Sequence, residues 1–292
     1  MPGMLKPAGL VVAASACALA QAQQPTFRSR VETVAIYSTV TDRNGRLVTG
    51  LDKTDFQVIE DGRPVDVTLF SSDPQPATVV IMLDMSQSVG PRELLARDSA
   101  QRFVDALEPG DRVRIGSFGV EIALSPLLTG DKDELTRILR EELWPGGATP
   151  LWNALFAAMS SLDGESGRRV VLSLTDGQDT VSLPGWPGTL DDVRRKALDE
   201  DFMIYAIAME GSGLARPIVD LADATGGGHF EVKRDADLAA TFAHVLDELR
   251  HQYLFGFAPG TLDERTHKLE VRVTAPGLKA RSRTSYLATA GK

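Results

Sequence analysis

Between residues 78 and 209 the apolar residues come in continuous runs instead of alternating with polar ones. The segments "TVVIMLD", "RVRIGSFG", "RVVLSLTD" and "FMIYAIAME" have this form, the pattern of parallel strands buried on both faces. Amphipathic stretches accompany them. Leu95, Phe103, Val104 and Leu107 mark one helix face, Leu151, Leu155, Met159 and Leu162 a second, and Leu238, Phe242, Val245, Leu246 and Leu249 a last one, about residues 236 to 250. Strands alternating with helices predict an α/β fold, a doubly wound and mostly parallel sheet, over residues 76–250.

On either side of this region the period changes to two. "VETVAIYSTVTD", the turn "RNGR", and "DFQVIEDGRPVDVTLFSS" with a second turn at Asp61-Gly62 predict antiparallel strands over residues 27–75. "SDPQPAT", with two prolines, reads as a linker. The alternation returns over residues 251–289 in "YLFGFAP", "HKLEVRVTAP" and "LKARSRTSYLA", the last two joined across Pro276-Gly277. Neither group holds enough apolar residues for its own core. The expectation is one small antiparallel β-sandwich, interrupted by the α/β domain, with the chain ends close together.

Residues 1–22 carry Lys6, the apolar run "AGLVVAASACALA" and small residues around Ala18, Ala20 and Ala22, which read as a secretory signal peptide. The run is shorter than the ~20 residues of a membrane span, so the mature chain is expected to have no transmembrane segment and to be exported, periplasmic or extracellular. Cys17, the single cysteine, falls inside the leader, so the mature chain is expected to fold without a disulfide. Ala14, where a lipid-attachment motif wants Leu, argues against a lipid anchor on Cys17. Without the leader, 30 basic residues face 40 acidic ones, which argues against nucleic acid or an anionic membrane as partner.

The chemistry gathers at strand ends. "VVIMLDMSQSVG" brings Asp84, Ser86 and Ser88 to the carboxyl end of a buried strand, "GGATPL" places Thr149 before a helix, and "LSLTDG" ends its strand at Asp176. Ligands of open α/β sheets bind at such ends, so five oxygen side chains can meet on one rim. Two aspartates and three hydroxyls suit a hard cation: Mg²⁺ takes about six oxygens at roughly 2.0–2.1 Å and needs only one or two carboxylates. Softer metals want His or Cys, which these loops lack. The partly neutralised ion could take a carboxylate from outside as a further ligand.

These residues resemble the metal-ion-dependent adhesion site of von Willebrand factor A domains, and the flanks "GLDKTDFQVIEDGRPVDVTLF" and "QYLFGFAP" resemble a secreted bacterial subfamily of such proteins. The resemblance implies direct coordination by Ser86, Ser88 and Thr149, with Asp84 and Asp176 coordinating directly or through water. It implies Mg²⁺, or Mn²⁺ or Ca²⁺, as cofactor, and as partner a protein offering an Asp or Glu carboxylate. Other readings stand beside it. Thr149 before Pro150 is also a good helix N-cap, and Asp176-Gly177 could be a plain turn. Asp179 is expected to help hold its loop, and Trp186 in "LPGWPG" and Asp179 are the candidate partner contacts, Trp186 as an exposed one. The leading expectation is a binding module and not an enzyme, since G-x-S-x-G, H-E-x-x-H, P-loop and cysteine nucleophile are all missing. The alternatives are a metal-dependent hydrolase and a structural envelope protein with a vestigial site.

Overall fold

The computed structural model describes residues 33–87, 89, 92–175 and 178–289; the expected leader, residues 1–22, lies outside them. Four antiparallel strands come first: β1 (Val34–Thr41), β2 (Phe56–Glu60), β3 (Arg63–Pro64) and β4 (Val67–Ser71). The α/β region follows with β5 (Thr78–Asp84), α1 (Glu93–Asp105), β6 (Arg112–Phe118), β7 (Ile122–Leu124), α2 (Lys132–Glu141), α3 (Leu151–Ser160) and β8 (Arg169–Leu174). It continues through α4 (Leu190–Asp199), β9 (Phe202–Ala208), α5 (Arg216–Ala224), β10 (His229–Glu231) and α6 (Leu238–Arg250). The chain ends in β11 (Tyr253–Phe257), β12 (Thr266–Val273), β13 (Lys279–Ser282) and β14 (Ser285–Leu287).

The central sheet has the order β10-β9-β8-β5-β6-β7, parallel except for the edge strand β7. Its strands are apolar throughout because each face has its own core. Val79, Ile81 and Leu83 of β5 join side chains of α1, α2 and α6, whereas Val80 and Met82 join those of α3, α4 and α5. Burying each such side chain contributes about 1.5–3 kcal/mol, so a polar residue within these runs would sacrifice one core or the other. The chain leaves β5 for β6 on one side and later returns to β8 on the other. The carboxyl end of β5 is therefore the switch point where a crevice opens.

The flanking strands form two antiparallel four-stranded sheets, β13-β1-β11-β4 and β14-β12-β2-β3. Each draws on both ends of the chain. β1 pairs with β11 from Val34↔Phe257 to Ser38↔Tyr253, and β2 with β12 from Phe56↔Val273 to Glu60↔Leu269. Between the sheets lies one core of Ile36, Val58, Tyr253, Phe255, Phe257, Val271 and Tyr286. Phe56 packs its ring 4.8 Å from Tyr253 and 4.9 Å from Phe255, centroid to centroid.

The segments joined across Pro276-Gly277 part into opposite sheets: β12 pairs with β2 and β14, and β13 with β1. The run "LKARSRTSYLA" breaks at Arg283, whose guanidinium turns inward to the carbonyls of Leu198 (2.8 Å) and Ser285 (2.7 Å). The basic run Arg194-Arg195-Lys196 on α4 is solvated only in part. The Lys196 side chain is 10 % exposed, lies over the rings of Phe156 and Phe202, and pairs with Asp163 and Glu200.

Candidate metal centre

The strand β5 delivers Asp84 to the rim fully buried. Its Oδ1 accepts a hydrogen bond from the Ser86 amide (2.9 Å), a local contact that turns the chain, and its Oδ2 accepts one from the Thr175 hydroxyl at the end of β8 (3.2 Å). The Met85 amide donates to Phe118 of β6 (2.8 Å). Ser86 is 1 % exposed and Thr149 3 %. Ser88 and Asp176 lie outside the described residues.

The loop that carries Thr149 is stitched to the Asp84 loop by backbone. The Gly146 amide donates to the Met85 carbonyl (2.7 Å), and the Gln87 amide to the Gly147 carbonyl (3.0 Å). Only glycine allows this approach. A Cβ on Gly119 would lie 2.4 Å from the Gly146 carbonyl oxygen, and one on Gly147, which sits at φ +83°, 2.5 Å from the Val120 nitrogen. The third loop is tied on by a reciprocal pair: the Thr149 amide donates to the Thr180 hydroxyl (2.8 Å) and the Thr180 amide to the Thr149 carbonyl (2.9 Å).

The N-cap of helix α3 is Pro150, with no side-chain cap hydrogen bond. The first-turn amides are met from another loop, by Asp179, whose Oδ1 accepts from Trp152 (3.3 Å) and whose carboxylate also bonds Leu151. Partial burial pushes the Asp179 pKa up against these two bonds. The residue thus ties its loop to a helix whose first-turn amide lies 27 residues earlier. Trp186 is 45 % exposed. Its segment is held by Asn153, whose amide donates to the carbonyls of Pro187 (3.0 Å) and Gly188 (3.2 Å) and whose oxygen accepts from the Leu183 amide (3.0 Å).

Sequence reasoning missed Thr175, Thr180 and Asn153. Thr175 stands beside Asp176 in "LTDG" and could have been included; nothing in the sequence points to Asn153. Among the described residues no three His, Cys, Asp or Glu side chains converge as a metal cluster.

Residues 79–178 match the family model of the von Willebrand factor type A domain. Domains of this family are in general interaction modules and not enzymes. A von Willebrand factor type A protein from Catenulispora acidiphila has a similar structure, with TM-score 0.51 and 15 % identity over 90 % of this chain and 76 % of that one. Proximal thread matrix protein 1 from the mussel byssus, solved with a zinc-occupied MIDAS motif, is similar with TM-score 0.50 and 18 % identity over 65 % of this chain and 49 % of that one. The chain spans about half the length of the mussel protein structures it matches. At these identities the likeness is one of fold. Among curated proteins, no relative matches this sequence.

Proposed function

We propose that this protein is an exported binding module that captures an Asp or Glu carboxylate of a partner protein through a divalent metal held by Asp84, Ser86, Ser88, Thr149 and Asp176. The observation that carries this reading is the convergence of three loops at the β5 switch point, with Asp84, Ser86 and Thr149 each buried there. Carboxylate and hydroxyl oxygens gathered at one rim are donors that a single hard cation can share. Mg²⁺, with Mn²⁺ or Ca²⁺ as substitutes, fits an oxygen-only set. The metal would supply the bond to the partner's carboxylate. The chain's own part is to hold the donors rigid, which the Gly146-Gly147 backbone contacts and the Thr149-Thr180 pair do. Export rests on the leader at residues 1–22; among the described residues no helix is long and apolar enough to cross a membrane.

The test is a calorimetric titration of Mg²⁺ into the full-length protein and its Asp84→Ala variant, followed by capture of partners from native envelope or medium in Mg²⁺ and elution with EDTA. Saturable metal binding lost in Asp84→Ala, with chelator-sensitive capture, is the expected result. Capture that is indifferent to both EDTA and Asp84→Ala overturns the reading.

A further inference from the structure

Among the described residues, the three most exposed large apolar side chains are Leu94 (75 %), Trp144 (66 %) and Val120 (64 %). Scattered over a surface they would need no explanation, but all three border the loops around Asp84. Val120 lies against the Gly146-Gly147 backbone, and Trp144 leads into that backbone along the chain. Leu94 sits in the first turn of α1, one turn ahead of Arg97, whose guanidinium bonds the carbonyls of Leu139 and Leu143 (2.6 Å to the latter) and so joins α1 to the residue before Trp144.

The charges around them decide what such a surface accepts. The segments 85–92, 119–121, 144–149 and 175–188 contain one basic residue, Arg92, against Glu121, Asp176 and Asp179. Arg92 is engaged already, by the Asp235 carboxylate (3.2 Å) and the Glu210 carbonyl (2.9 Å). Within these segments an acidic tract would meet like charge, with no basic side chain besides Arg92 to receive it.

We infer that the partner is a polypeptide segment bearing a single carboxylate flanked by bulky apolar side chains, which dock on Leu94, Val120 and Trp144. This rests on the metal reading above and narrows it: the metal takes the carboxylate, and the apolar flank selects the segment.

Short synthetic peptides on a Gly/Ser frame test the inference with the full-length protein in Mg²⁺, by fluorescence anisotropy. One carries Asp between glycines, one Asp followed by Leu or Trp, and one a run of Asp. The Asp-Leu and Asp-Trp peptides should bind about tenfold tighter than the glycine-flanked one. That gain should disappear in Trp144→Ser and in the Leu94→Ser/Val120→Ser double variant, while calorimetric Mg²⁺ binding is unchanged. Tightest binding by the Asp run, or a gain that survives both variants, overturns the inference. So does a dimer in light scattering that Trp144→Ser abolishes, since the surface would then serve a second copy of the chain. An apolar gain lost with Trp144→Ser yet indifferent to EDTA and Asp84→Ala would support the apolar surface and refute the metal reading alone.

Discussion

Replacing Asp179 and Thr149 separately by alanine distinguishes a helix cap from a metal ligand. Asp179→Ala removes the acceptor of the Trp152 amide, together with the bond to Leu151, from a helix whose N-cap Pro150 offers no side chain of its own. Loss of an N-terminal cap costs about 0.5–2 kcal/mol. In a body of this size each kcal/mol lowers Tm by roughly 2–4 °C, so the loss is measurable by differential scanning calorimetry, and it should be the same in EDTA and in Mg²⁺ before metal-linked terms are added. Thr149→Ala leaves the backbone pair with Thr180 in place, because that pair uses the Thr149 amide and carbonyl. In EDTA its Tm should match the wild type; in Mg²⁺ it should lack the stabilisation that ligand binding adds to the folded state. If Thr149→Ala in EDTA destabilises as much as Asp179→Ala, the hydroxyl is a cap and its assignment as a ligand fails.

Two further outcomes concern stability away from the rim. His267 sits between Asp263 (3.0 Å) and Asp61 (2.8 Å) and stacks on Tyr286, and the hydrogen bonds its ring donates to Asp263 and Asp61 raise its pKa. The stabilisation is fully present below the unfolded value of about 6.5 and is lost as pH rises through the higher folded value. The Tm advantage of wild type over His267→Gln should therefore shrink from about pH 6 upward, and an advantage that grows with pH would contradict the pairing. Glu248, 2 % exposed, joins α6 to Arg281 of β13 and accepts from the Tyr205 hydroxyl (3.1 Å). Glu248→Ala leaves a half-buried guanidinium without its carboxylate and should cost about 1–3 kcal/mol in urea unfolding, with much of it recovered in Glu248→Met/Arg281→Met; a loss under ~0.5 kcal/mol would mean that the charges are hydrated.

The candidate site residues could be nominated from the sequence because the pattern that marks them is local. Asp84, Ser86 and Ser88 are close along the chain, and Thr149 and Asp176 announce themselves at the ends of patterned segments. What Asp179 does was legible only as loop-holding: the helix it caps begins at Leu151, and no spacing rule relates the two. Thr180, Asn153 and the Gly146-Gly147 contacts were invisible for the same reason. The buried link between Glu248 and Arg281 joins residues 33 apart, from a helix and a strand of different layers.

The sequence by itself determined the two layers of period, continuous apolar runs for a sheet covered on both faces and alternation for sheets covered on one. Burial is a property of each strand, and each strand's residues record it. Only the tertiary structure decided which strand lies beside which: that β12 and β13 part into opposite sheets at Pro276-Gly277, and that both ends of the chain build each sheet of the sandwich. Pairing is a contest among many strands with similar edges, and it is settled by the shared core of Phe56, Tyr253, Phe255 and Tyr286, whose members meet only once the chain has closed on itself.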